Sequence, residues 1–428
     1  MQPEGWPGHI WLEGRTSVHL RDHQLRPSHM PRGPATKTGE GFLNPAMAPA
    51  RTRSVMLLAD ALENGWLVPE GKVVRALDAL CATGVRPRRW RKEIPSQDRL
   101  RITANDLDSD ALAWARESHR EHPIGDNLQW APEPSRFSRD QGGVVEDGIH
   151  WIEGDATRLM VQTPFQWIDL DPFGSPVGFL DSAIQAISRV GVLEVTATDT
   201  AALCGSAKTS AARRYGSVGI NDSYMHDDAT RVLLGTIARI AAMHDKSIHP
   251  ILSLFDGHHV RVTVLLKRSK EEASDWRNNI GYRVRSNPYH FAPQPEGKFS
   301  GPMWIGPIFD AGIAGRITVE KAIELCAGKD EDLPDYWDEI DIEHSQREIQ
   351  RSVRYISESA GLLSQDHLLV AVDDLGVAAG VGQIPSMKKI KSGLEDAGFR
   401  MARCHMPEAM FATDADWETV LNIIRSAD

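Results

Sequence analysis

A chain of 428 residues with 48 Lys and Arg against 59 Asp and Glu carries a formal charge of −11, and 41% of it is hydrophobic. Such a chain can bury two or three cores, and its net charge has the wrong sign for a protein that coats nucleic acid. No apolar run approaches the roughly 18 residues of a membrane span, and the first 40 residues lack the apolar core of a secretory signal, so a cytoplasmic location without a membrane partner is expected.

From residue 73 onward, strands and helices alternate. Val73 to Asp78 is a short apolar run, followed by Ala82-Thr83-Gly84 and then the basic stretch Arg86 to Lys92. That stretch is expected either to meet phosphate or to lie in a solvated loop. A second strand, Leu100 to Ala104, runs into Asn105-Asp106, and Ser109 to His119 has helical character. Residues 121 to 148 are polar with little periodicity and suggest a surface insertion. The third strand, Ile149 to Ile152, precedes Glu153-Gly154-Asp155-Ala156, and the fourth leads through Trp167-Ile168 into Asp169-Leu170-Asp171-Pro172-Phe173-Gly174. A fifth strand, Gly191 to Ala197, is followed by an amphipathic helix over about 227 to 243. Two apolar stretches then flank Asp256-Gly257, the pattern of a hairpin. Residues 270 to 428 read as a smaller α+β domain, with helices near 348 to 363, 385 to 398 and 417 to 426 and a winged-helix-like end.

The alternation predicts a parallel sheet covered on both faces, closed by an antiparallel strand at one edge. Ligands of such sheets bind outside the carboxyl ends of the strands. Asp78, Asp106, Asp155 and Asp171 each fall at the end of a separate strand, so the pattern places four carboxylates along one rim. The loop Asp78-Ala79-Leu80-Cys81-Ala82-Thr83-Gly84 lacks the three spaced glycines with which a dinucleotide fingerprint meets a pyrophosphate, and no P-loop is present. A nucleoside ligand with a carboxylate and no phosphate fits better, and S-adenosylmethionine is one. Asp106 is placed for the ribose hydroxyls and Asp155-Ala156 for the adenine, with helix capping the competing role for both acids. The scattered Cys81, Cys204, Cys326 and Cys404 form no CxxC pair, so neither structural zinc nor a disulfide framework is expected. Cys204 is read as a small buried hydrophobe.

These stretches, together with Phe42-Leu43-Asn44-Pro45-Ala46-Met47 and Arg51, Val195 to Thr200, Leu203-Cys204-Gly205, Gly301 to Pro307 and Arg403-Cys404-His405, resemble the tRNA guanine-26 N2-dimethyltransferase family. The similarity runs in order from about residue 41 to the C-terminal region, with departures at Leu43, Thr52 and Pro87. The resemblance implies a class I (Rossmann-like) methyltransferase domain over residues 41–269, a family-specific α+β tRNA-binding domain over 270–428, and an extension at 1–40. It also implies an enzyme that uses S-adenosylmethionine, takes tRNA as partner, and needs neither metal nor obligate protein partner.

Carried over by motif, Arg51 and Arg86 would meet the methionine end of the cofactor, Asp106 the ribose, and Asp155 with Ala156 the adenine. Asp171 would be catalytic with the Pro172 carbonyl, while Phe173 and Phe42 hold the target guanine. Asp169 would lie along the strand in support. Rival readings are an amino-methyltransferase acting on another nucleic-acid base and a non-catalytic tRNA binder of the same fold.

Overall fold

The computed structural model describes residues 2–21, 43–125, 127–138, 140, 142–333, 337–365 and 367–426. The chain forms two compact units. The first comprises Met1–Asp171, Asp181–Glu194 and Ile317–Arg354; the second comprises Pro172–Leu180, Val195–Arg316 and Tyr355–Asp428.

The first unit begins with a hairpin, β1 (His9–Glu13) and β2 (Thr16–Leu20), which the sequence reading did not anticipate. Helix α1 (Ala48–Asn64) starts with a proline in its first turn, where no N–H is needed, and stops at Gly65 in the left-handed region, φ 66°. The strands of the alternation then follow as expected, β3 (Val74–Asp78), β4 (Leu100–Asp106), β6 (Ile149–Glu153) and β7 (Phe165–Leu170), with helices α2 (Val85–Glu93), α3 (Ser109–Glu121) and α4 (Ala156–Gln162) between them and an unexpected short strand, β5 (Val144–Glu146), inside the stretch read as an insertion. Helix α5 (Val177–Ala186) and strand β8 (Ile187–Ala197) each contribute residues to both units.

In the second unit come α6 (Thr200–Leu203), α7 (Lys208–Tyr215) and the long α8 (Met225–Met243). The antiparallel pair β9 (Lys246–Asp256) and β10 (His259–Arg268) forms the hairpin read at Asp256-Gly257. It is followed by α9 (Lys270–Ser274), β11 (Ile280–Val284), β12 (His290–Ala292), β13 (Phe299–Trp304) and α10 (Ala311–Ala314). The chain returns to the first unit for α11 (Val319–Cys326) and α12 (Glu339–Val353), where Arg53 of α1 donates to the Ser352 carbonyl at 2.7 Å. The helix read over 348–363 is in fact two, α12 and α13 (Ile356–Leu363), because Tyr355 takes a left-handed conformation, φ 70°. The second unit ends with β14 (Leu368–Ala371), α14 (Val372–Ala379), α15 (Met387–Asp396), β15 (Met401–Arg403), β16 (Met410–Thr413) and α16 (Trp417–Ser426). Its three-stranded sheets run β12-β11-β13 and β14-β16-β15.

The main sheet has the strand order β5-β6-β4-β3-β7-β8-β10-β9. Strands β6, β4, β3 and β7 are mutually parallel. Val74, Ala76, Ile102, Ala104, Ile149, Trp167, Ile168 and Leu170 are all fully buried, as strands covered on both faces require. From β3 the chain builds β4 and β6 to one side and β7 and β8 to the other. The sheet therefore has its topological switch point between β3 and β7, where open α/β sheets hold their ligands.

Candidate active site

The four strand-end acids line one edge of the first unit. Asp78 is the last residue of β3, Asp106 the last of β4, Asp155 follows shortly after β6, and Asp171 comes directly after β7. In sheet order they run Asp155, Asp106, Asp78, Asp171. Register keeps the switch point level, since Asp78 lies opposite Ala104 on one side and Asp169 on the other.

Arg86, in the first turn of α2, reaches across this crevice. Its guanidinium lies 2.7 Å from Asp171 Oδ2, 3.0 Å from Asp169 Oδ2 and 3.9 Å from Asp78 Oδ2, and its side chain is only 4% exposed. Asp78 and Asp169 are buried as well. One buried cation thus faces three carboxylates. The imbalance shows at Asp78, whose carboxyl is pushed up to about 8. Burial is the largest cause; Arg86 opposes it, and the neighbouring Asp169 and Asp171 add to it. Asp78 Oδ1 is buried without a hydrogen-bond partner. A buried acceptor and an excess of negative charge suit a cationic, hydrogen-donating ligand group, as an amino acid's ammonium is.

The loop after β3 is shaped by the strand beside it. Ala82 sits in the left-handed region, φ 44°, and its N–H donates to Asp106 Oδ2 at 2.7 Å. Strain of this kind in a non-glycine residue persists only where surrounding contacts hold it. Asp106 Oδ1 accepts from the Asp108 N–H at 3.0 Å, and burial raises the pKa of this carboxyl. Asn105, fully buried, donates from Nδ2 to the carbonyls of Ala79 and Gly154, each at 3.0 Å, and so ties together the loops that follow β3 and β6. Gly84 closes the first of these loops at φ 69°; a Cβ there would lie 2.9 Å from the Trp151 ring.

Asp155 caps α4: its Oδ1 accepts from the Thr157 N–H at 2.7 Å and the Arg158 N–H at 3.1 Å. The Thr157 hydroxyl and these amides hold its pKa below the ordinary carboxylate value, and Ala156 is buried at the first position of the helix. Asp106 caps nothing; Asp108 takes that part for α3. Arg51 is buried in a pair with Glu13, Nε to Oε1 2.6 Å, and also donates to the Asn44 carbonyl at 3.0 Å. Arg86 and Asp171 therefore meet directly and Asp106 and Asp155 share their rim, whereas Arg51 is engaged by the β1–β2 hairpin. Asp171 is the last residue of the first unit, and Pro172, buried, and Phe173, 60% exposed, belong to the second. Phe42 lies outside the described residues.

The basic stretch Arg86 to Lys92 is neither a phosphate site nor a solvated loop. It forms α2, with Arg88, Arg89 and Arg91 buried. Arg89 pairs with Glu93 at 2.8 Å and Glu13 at 3.1 Å, and Arg91 with Asp147 at 3.0 Å. All four cysteines are free and buried, Cys204 among them. Among the described residues no His, Cys, Asp and Glu group could hold a metal, and no helix is long and apolar enough to cross a membrane.

A parallel sheet with this strand order, an acidic rim at the switch point and a first loop without the dinucleotide glycines define a class I, Rossmann-like methyltransferase. A family model described as N2,N2-dimethylguanosine tRNA methyltransferase matches residues 14–425, and the chain belongs to that family. It is 28% identical over 402 residues to the tRNA (guanine(26)-N(2))-dimethyltransferase of Pyrococcus abyssi, covering 90% of this chain and 93% of that protein. The Pyrococcus furiosus protein of the same name is 33% identical over 286 residues, 64% of this chain and 69% of the other. The structure titled as Trm1 from Pyrococcus horikoshii with S-adenosyl-L-methionine aligns with a TM-score of 0.74 at 25% identity, over 97% of this chain and 99% of that one.

Proposed function

We propose that this protein transfers methyl groups from S-adenosylmethionine to the exocyclic N2 of guanine at position 26 of tRNA, giving N2,N2-dimethylguanosine, and that it works in the cytoplasm. The observation that carries the reading is the Asp171 carboxylate at the switch point, held by a buried arginine beside a rim of strand-end acids. It is supported by a family match over nearly the whole chain.

S-adenosylmethionine, when bound, supplies an electrophilic methyl group on a sulfonium. Asp106 would accept from its ribose hydroxyls, Asp155 with Ala156 would meet its adenine, and Arg86, joined by Arg51, would meet its carboxylate by exchanging for it the carboxylates that each arginine pairs with here. Asp78 would face its ammonium. The fit is chemical: an unpartnered buried acceptor and excess negative charge at one end, a second carboxylate one strand over.

The chain's own work lies at Asp171 and Pro172. The N2 lone pair of guanine is delocalised into the ring, so the amine is a poor nucleophile. The Asp171 carboxylate and the Pro172 carbonyl would accept the two N2 hydrogens and turn the lone pair toward the methyl. Orientation of this kind supplies much of the acceleration. The Asp171 carboxylate also takes the proton that N2 loses. The base has to leave the stack first, and the aromatic faces of Phe173 and Phe42 would offset part of that cost. The same geometry serves the second methyl, because the monomethylated amine keeps one hydrogen for an acceptor.

Labelled methyl transfer to tRNA, with nucleoside mass spectrometry of the product, tests the reading. Dimethylguanosine is expected at position 26, with G26→A in the tRNA abolishing it and Asp171→Ala lowering the rate by at least about 100-fold. Full activity on the G26→A tRNA would overturn the substrate assignment. Full activity of the Asp171→Ala enzyme would overturn the mechanism.

A further inference from the structure

The segment that follows Asp171 is fastened inside the second unit by side chains to which neither the catalytic nor the cofactor reading gives a role. Gly174, at φ 75°, shares three hydrogen bonds with Thr198: its N–H donates to the Thr198 hydroxyl at 2.7 Å, and its carbonyl accepts from the Thr198 N–H at 2.9 Å and from the hydroxyl at 3.5 Å. The next residue, Ser175, lies 3.0 Å from the phenol oxygen of Tyr215. Tyr215, only 5% exposed, donates to Asp199 Oδ1 at 2.7 Å, and Arg214 donates to Asp199 Oδ2 at 2.9 Å.

The direction of this chain of bonds follows from the donors available. A carboxylate only accepts, so the single phenol proton is committed to Asp199 and the Ser175 hydroxyl must donate to the phenol oxygen. Burial, reinforced by the bond to Asp199, keeps that phenol protonated far beyond its usual range. The Tyr215 hydroxyl thus donates to Asp199 and accepts from Ser175. The result is a fixed Ser175–Tyr215–Asp199–Arg214 line that reaches the exposed end of α7, where Arg214 is 40% exposed.

We infer that Tyr215 and Thr198 are positioning residues for methyl transfer. They hold residues 172–175 in the one conformation that aims the Pro172 carbonyl and the Phe173 ring at the target base. Pro172 has no N–H and Gly174 has a backbone free to turn, so the corner has no ladder of its own to hold it. The three hydrogen bonds to Thr198 and the one to Tyr215 supply what a ladder would. Carbonyl direction matters here more than proximity, because an acceptor turned away from N2 leaves the lone pair in conjugation. A displacement of about 1 Å at such a point can cost about 100-fold in rate.

The inference rests on the reading of Asp171 to Phe173 as the reacting corner, and the experiment separates the two. Tyr215→Phe keeps the buried ring and removes only the hydroxyl; Thr198→Val keeps the shape and removes the acceptor; Thr198→Ser restores it. Single-turnover methylation of tRNA, KM for tRNA, and S-adenosylmethionine affinity by calorimetry would be measured for each well below its unfolding midpoint. Expected are falls of about 10- to 100-fold in the methyl-transfer rate for Tyr215→Phe and Thr198→Val, with KM and cofactor affinity within about twofold of the parent. Thr198→Ser should recover most of the rate, and Tyr215→Phe combined with Ser175→Ala should be no slower than either alone. Folded variants with parental rates would overturn the inference while Asp171→Ala remained inactive. Equal losses for Thr198→Ser and Thr198→Val would overturn it too, since a hydroxyl acceptor would then not be what holds the corner. An Asp171→Ala enzyme of full activity would instead remove the reading on which it rests.

Discussion

Replacing Asp78 by Asn should make the protein more stable, by an amount that grows with pH. The folded protein holds the Asp78 proton up to about pH 8, because burial and the neighbouring Asp169 and Asp171 outweigh Arg86. In the unfolded chain the same carboxyl loses its proton near pH 4. The bound proton therefore stabilises the fold fully below about pH 4, and that contribution is lost as pH rises toward about 8. Each pH unit in this window removes about 1.4 kcal/mol, so the parent loses about 3 kcal/mol over two units. An asparagine is neutral throughout and escapes the loss. Urea denaturation followed by tryptophan fluorescence at about pH 5.5, 6.5 and 7.5 reads the difference directly. The gap between Asp78→Asn and the parent should widen by about 3 kcal/mol from the lowest pH to the highest. A difference that stays flat across the three would refute the account, because it would mean that Asp78 is ionised in the fold at all of them.

Two further substitutions probe how the site is supported. Gly84→Ala should cost about 2–4 kcal/mol, the sum of a left-handed backbone and an overpacked Cβ; the Cβ would sit 2.9 Å from Trp151 and 3.0 Å from Ala115. Denaturation midpoints check this, and a neutral effect would show that the loop after β3 can shift. Arg89→Leu should cost about 3–5 kcal/mol, because it strands the buried Glu93 carboxylate and leaves Glu13 to Arg51 alone. At Glu13 the effect of burial is outweighed by Arg51 and Arg89, and the carboxyl titrates below its ordinary range. Replacing Arg89 and Glu93 together by apolar residues should cost less than Arg89→Leu alone, and a larger cost would count against the buried-charge explanation.

The parts of the fold that repeat a simple pattern were legible from the residues. Apolar runs ending in an acid located β3, β4, β6 and β7, and four such endings in order located the rim. Asp-Gly between two apolar stretches located the β9–β10 hairpin. What stayed hidden depended on partners distant in sequence. Arg88, Arg89 and Arg91 read as a basic patch, since nothing local shows that Glu13 and Asp147, 76 and 56 residues away, neutralise two of them inside a core. Asp169 read only as a support beside Asp171; its contact with Arg86 exists because β3 and β7 are neighbours, a fact of topology. The Tyr215–Asp199 line is invisible for the same reason. The break between α12 and α13 carried no glycine or proline signal, because Tyr355 occupies a conformation that side chains of its kind seldom take.

One amide side chain joins two loops of the acidic rim. Asn105 Nδ2 holds the carbonyls of Ala79 and Gly154, and the Asn105 carbonyl holds the Cys81 N–H at 2.8 Å. The loop after β3 and the loop after β6 are therefore coupled as one mechanical part, although more than 70 residues separate them in the chain. Substitutions in one loop are filtered by what the other tolerates. A substitution at position 105 would therefore release both loops at once, where a change in either loop alone acts on one.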